Sequence, residues 1–201
     1  MNKQWISLLL VSILAVGLIA GGAVGMSIPA SAEALYEFYV YEDAESENNH
    51  YQDIAYMGSK SNGDDGTMTI DLSHTETPKS GDTCIAVSYT PKGKNHWAGM
   101  MWLSGEGNFP PDLPKDGVDM AMAKTLTFWA KGSGKAEFFI EDNSKHKVSA
   151  QISLTDEWTE YTLAIPSDWD AVCIGFGWAS SAANVGGDTM SFYLDDIRFD
   201  G

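Results

Sequence analysis

The sequence is short of basic residues and of cysteine, and each shortage excludes a class of function. Twelve Lys and Arg residues stand against twenty-eight Asp and Glu residues in 201, which gives a formal net charge of −16 at pH 7. Such a chain repels nucleic-acid phosphates and anionic lipid headgroups. The two cysteines, Cys84 and Cys173, allow at most one disulfide. We expect free thiols, because nothing in the sequence brings their two segments together.

Enzyme signatures are missing as well. The four histidines are scattered, with no His-x-x-x-His or Glu-x-x-His pair for a metal. The sequence has no nucleophile elbow, and neither cysteine has an adjacent histidine to activate it. The sequence therefore predicts a protein that is not an enzyme. A small lyase or hydrolase is an alternative, because a pair of carboxylates is available and Tyr51, His50 or His96 could supply a base.

The first 32 residues have the layout of a secretory signal. A short polar start containing Lys3 precedes an apolar run over residues 6–24, and Ala30-Ser31-Ala32 forms a small-residue cleavage site before Glu33. We expect cleavage after Ala32, a secreted or cell-surface protein, and a single mature domain over residues 33–201 that has no membrane partner. The alternative is an uncleaved membrane anchor, because the apolar run is long.

The rest of the chain shows the period-two alternation of β-strands, separated by turn residues rich in Gly, Asn, Asp and Pro. No long helical period follows residue 32. Ten short strands in one domain predict an all-β fold, a two-sheet antiparallel β-sandwich of jelly-roll type. The predicted strands cover residues 36–41, 67–72, 83–90, 97–103, 125–130, 136–141, 148–154, 159–165, 171–178 and 190–199.

Acidic residues are concentrated at two places where they could meet a cation. Glu42 and Asp43 begin an acidic loop, and such a loop is usually solvated. In the last strand, Asp195 and Asp196 are adjacent, so strict alternation would bury one of them. A buried, unpaired carboxylate costs several kcal/mol, so it needs a donor, a cation or a proton. A calcium ion would satisfy Asp195, and hydrogen bonds from neighbouring amides would do so equally well.

Residues 95–111 are the most aromatic stretch of the chain, and they suit a sugar-binding surface. An alternating strand that contains Trp97 and Trp102 leads into a loop rich in Gly, Asn and Pro. The more continuous apolar set belongs in the core, which places Trp97 inside and leaves Trp102 facing out. Trp102 is then the leading platform for stacking on a pyranose ring. The alternative is that both tryptophans are core residues.

The neighbouring polar residues would complete such a site. Glu106 and Asn108 could hydrogen-bond sugar hydroxyls and fix the orientation of the ring. Tyr51 and His50 would join them if the early acidic loop folds over the same sheet.

Several segments, taken in order, resemble jelly-roll carbohydrate-binding modules with a galactose-binding-like fold. They are residues 80–89, 97–102, 108–109, 126–132, 154–163, 174–178 and 189–197. The resemblance implies a secreted, non-catalytic protein that binds a polysaccharide or a cell-surface glycan. An extracellular assembly protein is the alternative, because the fold also serves that role.

The resemblance also implies particular residues. Modules of this kind often hold a structural calcium between an early acidic loop and the last strand. In this chain that points to Glu42 or Asp43 together with Asp195 and its neighbour Asp196. Phe109 stands where such modules often have a tryptophan, which makes it a further candidate for ligand contact.

Overall fold

The described part of the chain is built of β-strands. The computed structural model describes residues 37–51, 53–58, 66–92, 96–106, 117–186 and 188–201, with twelve strands and no helix in these ranges. No candidate for a membrane-spanning helix occurs among them. The predicted signal segment lies outside the described residues. The strands are β1 Glu37–Tyr41, β2 Asp53–Gly58, β3 Gly66–His74, β4 Cys84–Pro91, β5 Trp97–Leu103, β6 Val118–Asp119, β7 Thr125–Gly132, β8 Lys135–Asp142, β9 Lys147–Ser153, β10 Thr159–Ala164, β11 Ala171–Ser181 and β12 Met190–Asp200.

The strands form two six-stranded antiparallel sheets. Sheet A has the order β10-β7-β12-β4-β3, with β1 paired to β12. Sheet B has the order β2-β5-β11-β8-β9, with β6 paired to β11. One large apolar cluster draws its side chains from both sheets, so the sheets face each other across a common core. The predicted two-sheet β-sandwich is confirmed.

The alternation in the sequence explains which side chains fill this core. In β9, Val148, Ala150 and Ile152 pack against the core while the residues between them are exposed. All ten predicted strands are present, with ends within three residues of those predicted. Two strands, β2 and β6, were missed. Strand β2 falls between the first two predicted strands, and only Ile54 and Tyr56 of its side chains are described as packing against the core.

Aromatic rings meet across the space between the sheets. Phe128 of sheet A lies 5.0 Å from Phe138 and 5.1 Å from Phe176, both of sheet B, measured between ring centroids. Trp178 of sheet B meets Phe192 of sheet A edge to face at 5.1 Å. Such pairs contribute about 0.5–1.5 kcal/mol each beyond the area they bury. These rings therefore join the two sheets.

A β-bulge in β12 corrects the strict alternation expected for that strand. Leu194 and Ile197 both point into the core, although they are three residues apart. The pairing with β7 shifts register after Asp195, and Asp196 has a φ of 47°. One extra residue in the strand lets both aspartates leave the core side. One aspartate is buried, as expected, because Asp195 is 0% exposed, but it lies beneath the loop over residues 75–83 and not in the apolar core.

The two cysteines lie in different sheets. Cys84 begins β4 of sheet A and Cys173 lies in β11 of sheet B, and both are free and buried. Burial raises the pKa of the Cys84 thiol to about 12. The expectation of free thiols is confirmed.

The turn between β7 and β8 offers a test of the packing. Gly132 has a φ of +149°, and a Cβ atom there would lie 2.3 Å from the carbonyl oxygen of Ser191. We expect Gly132→Ala to lower the free energy of unfolding by about 2 kcal/mol or more, because backbone atoms cannot move aside easily. Chemical denaturation measures this. Gly105→Ala is the control, since no atom lies within 4 Å of its added Cβ. Equal stabilities of the two variants would contradict the packing described.

Candidate functional site

Strand β5 places its two tryptophans on opposite faces, in the reverse of the predicted orientation. Trp102 is 2% exposed and packs in the core, with its ring 5.6 Å from that of Phe176. Trp97 is 43% exposed and lies on the outer face of sheet B. The prediction failed because both faces of β5 are apolar, so the continuity of the apolar set could not decide between them. Trp102 is therefore a core residue, and its ring is not an exposed platform.

The outer face of sheet B carries a small apolar cluster beside polar side chains. Met101, Leu103, Phe139 and Ile174 form this cluster and are each at most 4% exposed. The Nζ atom of Lys147 lies 4.8 Å from the centre of the Phe139 ring. Exposed polar residues of β9 flank the cluster, at positions 147, 149, 151 and 153. Among the described residues of this face, Trp97 is the large apolar side chain that is exposed.

Lys147 also organises the carboxylate next to it. Its Nζ atom lies 2.8 Å from Oε1 of Glu137. Burial raises the pKa of Glu137, but hydrogen bonds from Lys147 and Ser149 outweigh that effect and lower the pKa overall. Glu137 is therefore ionised at neutral pH, and it offers a fixed acceptor on the outer face of sheet B.

The other predicted ligand residues fall in different places. Trp102 and Tyr51 line one cleft of about 410 Å³ together with Glu45 and Glu47 of the acidic loop. Tyr51 is buried, and its hydroxyl donates to the carbonyl of Val172 at 3.0 Å. This bond leaves Tyr51 unavailable as the base of a lyase. The acidic loop therefore reaches Trp102, but at the edge of the core and not on an open sheet face.

The remaining residues of the predicted site do not gather around this cleft. His50 is exposed and stacks on Phe38, with 3.9 Å between ring centroids. Glu106 is exposed just beyond the end of β5. Asn108 and Phe109 lie outside the described residues. Trp97 stands at the opposite end of β5 from Trp102, so the two tryptophans cannot belong to one small site.

The acidic loop is held by hydrogen bonds from protein donors. Oδ1 of Asp43 accepts the backbone N–H groups of Asp82 and Thr83 at 3.0 and 2.8 Å, and it also accepts the hydroxyl of Thr83. Oε2 of Glu42 accepts hydrogen bonds from Ser46 and Asn48. The bonds to Asp43 fasten the loop after β1 to the turn before β4, and those to Glu42 hold the loop internally.

Asp195 is also bound by amides. It is fully buried, and Oδ2 accepts the N–H groups of Lys79 and Ser80 at 2.7 and 3.2 Å while Oδ1 accepts that of Asp196 at 2.9 Å. The hydroxyl of Ser80 donates to Asp196 at 2.8 Å. This is the amide-bound alternative foreseen for a buried aspartate.

These contacts do not fit a calcium ion shared by the four predicted ligands. N–H protons point at carboxylate oxygens that a cation would need. Among the described residues, no three His, Cys, Asp or Glu side chains converge in a metal-binding arrangement. The described geometry thus provides no prepared site at Glu42, Asp43, Asp195 and Asp196, and a structural calcium stays a prediction to be tested.

A second group of aromatic residues, which the sequence did not single out as a site, lies on the outer face of sheet A. The loop over residues 75–83 crosses part of this face and places Nζ of Lys79 at 4.2 Å from the centre of the Trp129 ring. The indole N–H of Trp158 donates to the carbonyl of Thr77 at 3.3 Å. Tyr193 lies beside Trp158, with 6.4 Å between ring centroids. Alternation within β7 and β12 was the signal that could have grouped Trp129 and Tyr193, since it places both on the face opposite the core.

Comparisons with known proteins identify the fold. No family model and no curated protein sequence matches the chain. A family 11 carbohydrate-binding module of the cellulosomal cellulase Lic26A-Cel5E of Clostridium thermocellum aligns with a TM-score of 0.53 and 13% identity over 83% of this chain and 95% of that chain. The fold is that of jelly-roll carbohydrate-binding modules. A family 29 module aligns at a TM-score of 0.48 and 16% identity, over 84% of this chain and 90% of that one.

The buried carboxylate predicts a specific dependence of stability on pH. Burial raises the pKa of Asp195 from 3.8 to about 6, although three backbone N–H groups act to lower it. The folded state then binds more protons than the unfolded state between these values, so the contribution of Asp195 to stability falls as pH rises from about 4 to 6. Relative to Asp195→Asn, we expect the parent to gain about 2 kcal/mol on going from pH 7.5 to 4.5.

Denaturation of both proteins at the two pH values measures this difference. Other titrating groups are common to both proteins and cancel. The loss of one acceptor in the variant adds an offset that is independent of pH. A stability difference that stays constant from pH 4.5 to 7.5 would show that Asp195 titrates normally.

Removal of divalent cations tests the metal prediction. Because amide donors already satisfy Asp43 and Asp195, we expect a chelator to leave the melting temperature unchanged. A calcium ion at a hundredfold excess over its dissociation constant would instead contribute about 2.7 kcal/mol. Calorimetry with and without chelator distinguishes the two outcomes. Elemental analysis of the purified protein provides the control, and a clear drop in melting temperature would support the calcium site.

Proposed function

We propose that the protein is a non-catalytic carbohydrate-binding protein that acts outside the cell or at its surface, after removal of residues 1–32. We place its polysaccharide site on the outer face of sheet B, with Trp97 as the stacking platform. The observation that carries this proposal is the 43% exposure of Trp97, a large ring held on a regular strand. The likeness of the fold to a carbohydrate-binding module supports it.

The position of Trp97 suits contact with an extended ligand. It opens β5, pairs with Ser181 of β11, and is followed on the same face by Gly99, which has no side chain to block approach. A pyranose presents an apolar face that can cover such a ring, and covering it removes apolar surface from water. A single exposed ring is common on protein surfaces. The proposal that this face binds a polysaccharide therefore depends also on the polar residues of sheet B.

The outer face of sheet B provides directional partners for sugar hydroxyls. Glu137 and Lys147 form an ion pair, and Ser149 and Gln151 stand beside them on β9. These groups include donors and acceptors that are held on strands, so few rotamers are lost on binding. The formal charge of −16 repels sulfated and uronic-acid polymers. We therefore propose a neutral polysaccharide.

The decisive variant is Trp97→Ala. Truncating a stacked aromatic anchor should weaken binding about ten- to a hundredfold, roughly 1–3 kcal/mol. Affinity electrophoresis on a panel of neutral polysaccharides measures the change, with circular dichroism to check the fold. The panel includes β-glucans, because the similar module belongs to a cellulosomal cellulase.

Met122→Ala is the matched control, because Met122 is the other large apolar side chain described as exposed, at 68%. Its loss should leave binding unchanged. If Trp97→Ala folds and binds as tightly as the parent, then the platform lies elsewhere.

One observation favours the alternative of an assembly protein. Strand β3 is nine residues long and forms an edge of sheet A. An edge strand presents unpaired backbone groups that a second chain can pair with. Sedimentation at several concentrations distinguishes the two functions. Self-association without binding to any polysaccharide of the panel would favour assembly.

A further inference from the structure

The outer face of sheet A bears a groove that no part of the proposed Trp97 site uses. It has a volume of about 240 Å³ and lies over the middle of β3 and β4 and the beginning of β12. We infer that this groove is a second sugar-binding site, so that one chain can hold two glycan segments, one on each face of the sandwich. The inference goes beyond the proposed function, because it does not depend on Trp97 or on sheet B.

The floor of the groove follows from strand register. Thr69, Ser88 and Ser191 are paired side by side across β3, β4 and β12, and they place three hydroxyls in one row on the outer face. The next row on the same face consists of Asp71, Ala86 and Tyr193. Their neighbours along each strand, such as Val87 and Phe192, are core residues. The small residues of the two rows thus form a narrow floor, and the carboxylate of Asp71 and the ring of Tyr193 stand on either side of it.

The ring of Tyr193 lines the groove, and two further rings behind it form an aromatic wall. The ring of Tyr193 lies 5.3 Å from that of His74 and 6.4 Å from that of Trp158. The hydrogen bond from Trp158 to Thr77 fixes the indole against the loop over residues 75–83. The wall is therefore ordered before any ligand arrives, which lowers the entropic cost of binding. The half-exposed ring of Tyr193 borders the open groove.

The carboxylate on the other side is also held in place. Oδ1 of Asp71 accepts the backbone N–H of Ser73 at 3.1 Å, and Oδ2 lies 3.4 Å from Nδ1 of His74. The backbone hydrogen bond from Ser73 lowers the pKa of Asp71, although burial opposes it. Its side chain is 55% exposed, so the ionised carboxylate can still accept from a ligand hydroxyl.

These groups match a neutral sugar better than other ligands. Hydroxyls both donate and accept, a carboxylate orients vicinal hydroxyls, and an aromatic ring offers an apolar contact for ring C–H groups. The carboxylate on the groove disfavours phosphate or sulfate. The volume is below the roughly 300–1,000 Å³ of pockets for drug-sized ligands, which limits the occupant to a short segment of a chain. We therefore assign the groove to sugar units of a neutral glycan.

Amide chemical-shift mapping by NMR tests the inference on the full chain. The probes are cellohexaose and mannohexaose at millimolar concentration. We expect perturbation of the amides of Ser88, Ser191 and Tyr193, and a separate set of shifts near Trp97. Tyr193→Ala should lower the affinity of the groove, measured from the first set of shifts, about tenfold or more, as loss of an aromatic anchor does. Ser191→Ala, at an exposed position, should lower the affinity of the groove about fivefold through one lost hydrogen bond.

Thr162→Ala is the control, an exposed residue of β10 on the same sheet. It should bind as the parent does at both sites. Shifts confined to the Trp97 face would overturn the second site and leave the proposed function standing. Shifts confined to the groove would overturn the Trp97 site and leave the second site standing. If neither hexaose perturbs either face, both sites are overturned. If the Tyr193 and Ser191 variants bind at the groove as tightly as the parent does, only the second site is overturned.

Discussion

The structure depends on aromatic rings that meet between the two sheets. Phe128 and Phe192 of sheet A interlock with Phe138, Phe176 and Trp178 of sheet B. A β-sandwich is stable only if the inner faces fill the space between the sheets, which is about 10 Å deep. This demand draws in most of the large rings, Trp102 included. Rings left at the surface are correspondingly informative, and they occur on both outer faces.

Hydrogen bonds to aspartates then fasten loops onto this framework. Asp43 ties the acidic loop to the turn before β4, and Asp195 ties the loop over residues 75–83 to the bulge in β12. Both carboxylates receive backbone N–H groups that would otherwise have no partner in their loops. The second loop leaves the neighbouring part of sheet A open and supports the wall that Trp158 and Tyr193 form. One bulge thus influences the shape of the surface several residues away.

Local periodicity was enough to predict the fold. Alternation and turn residues gave ten strands and a two-sheet sandwich, because each strand has one face on the core. The missed strand β2 shows the limit, since its described contribution to the core is confined to Ile54 and Tyr56.

The candidate site was harder to predict than the fold. The orientation of β5 depends on which of two apolar faces meets the opposite sheet, and that is decided by strands far away in sequence. The groove on sheet A consists of residues from β3, β4 and β12, which only the register brings together. The effect of the bulge on Asp195 likewise could not be read from period two, because one inserted residue reverses the direction of every later side chain.

The position of β12 in sheet A has a consequence for the order of folding. This strand pairs with β1, β4 and β7, so it connects the first described strand to the middle of the sheet. Until residues 190–200 have been synthesised, β1 lacks its partner and the other two lack a shared neighbour. Contacts so distant in sequence form slowly, and apolar strands remain exposed meanwhile. Sheet A can therefore be completed only after β12 has been made, whereas every strand of sheet B precedes β12 in the chain.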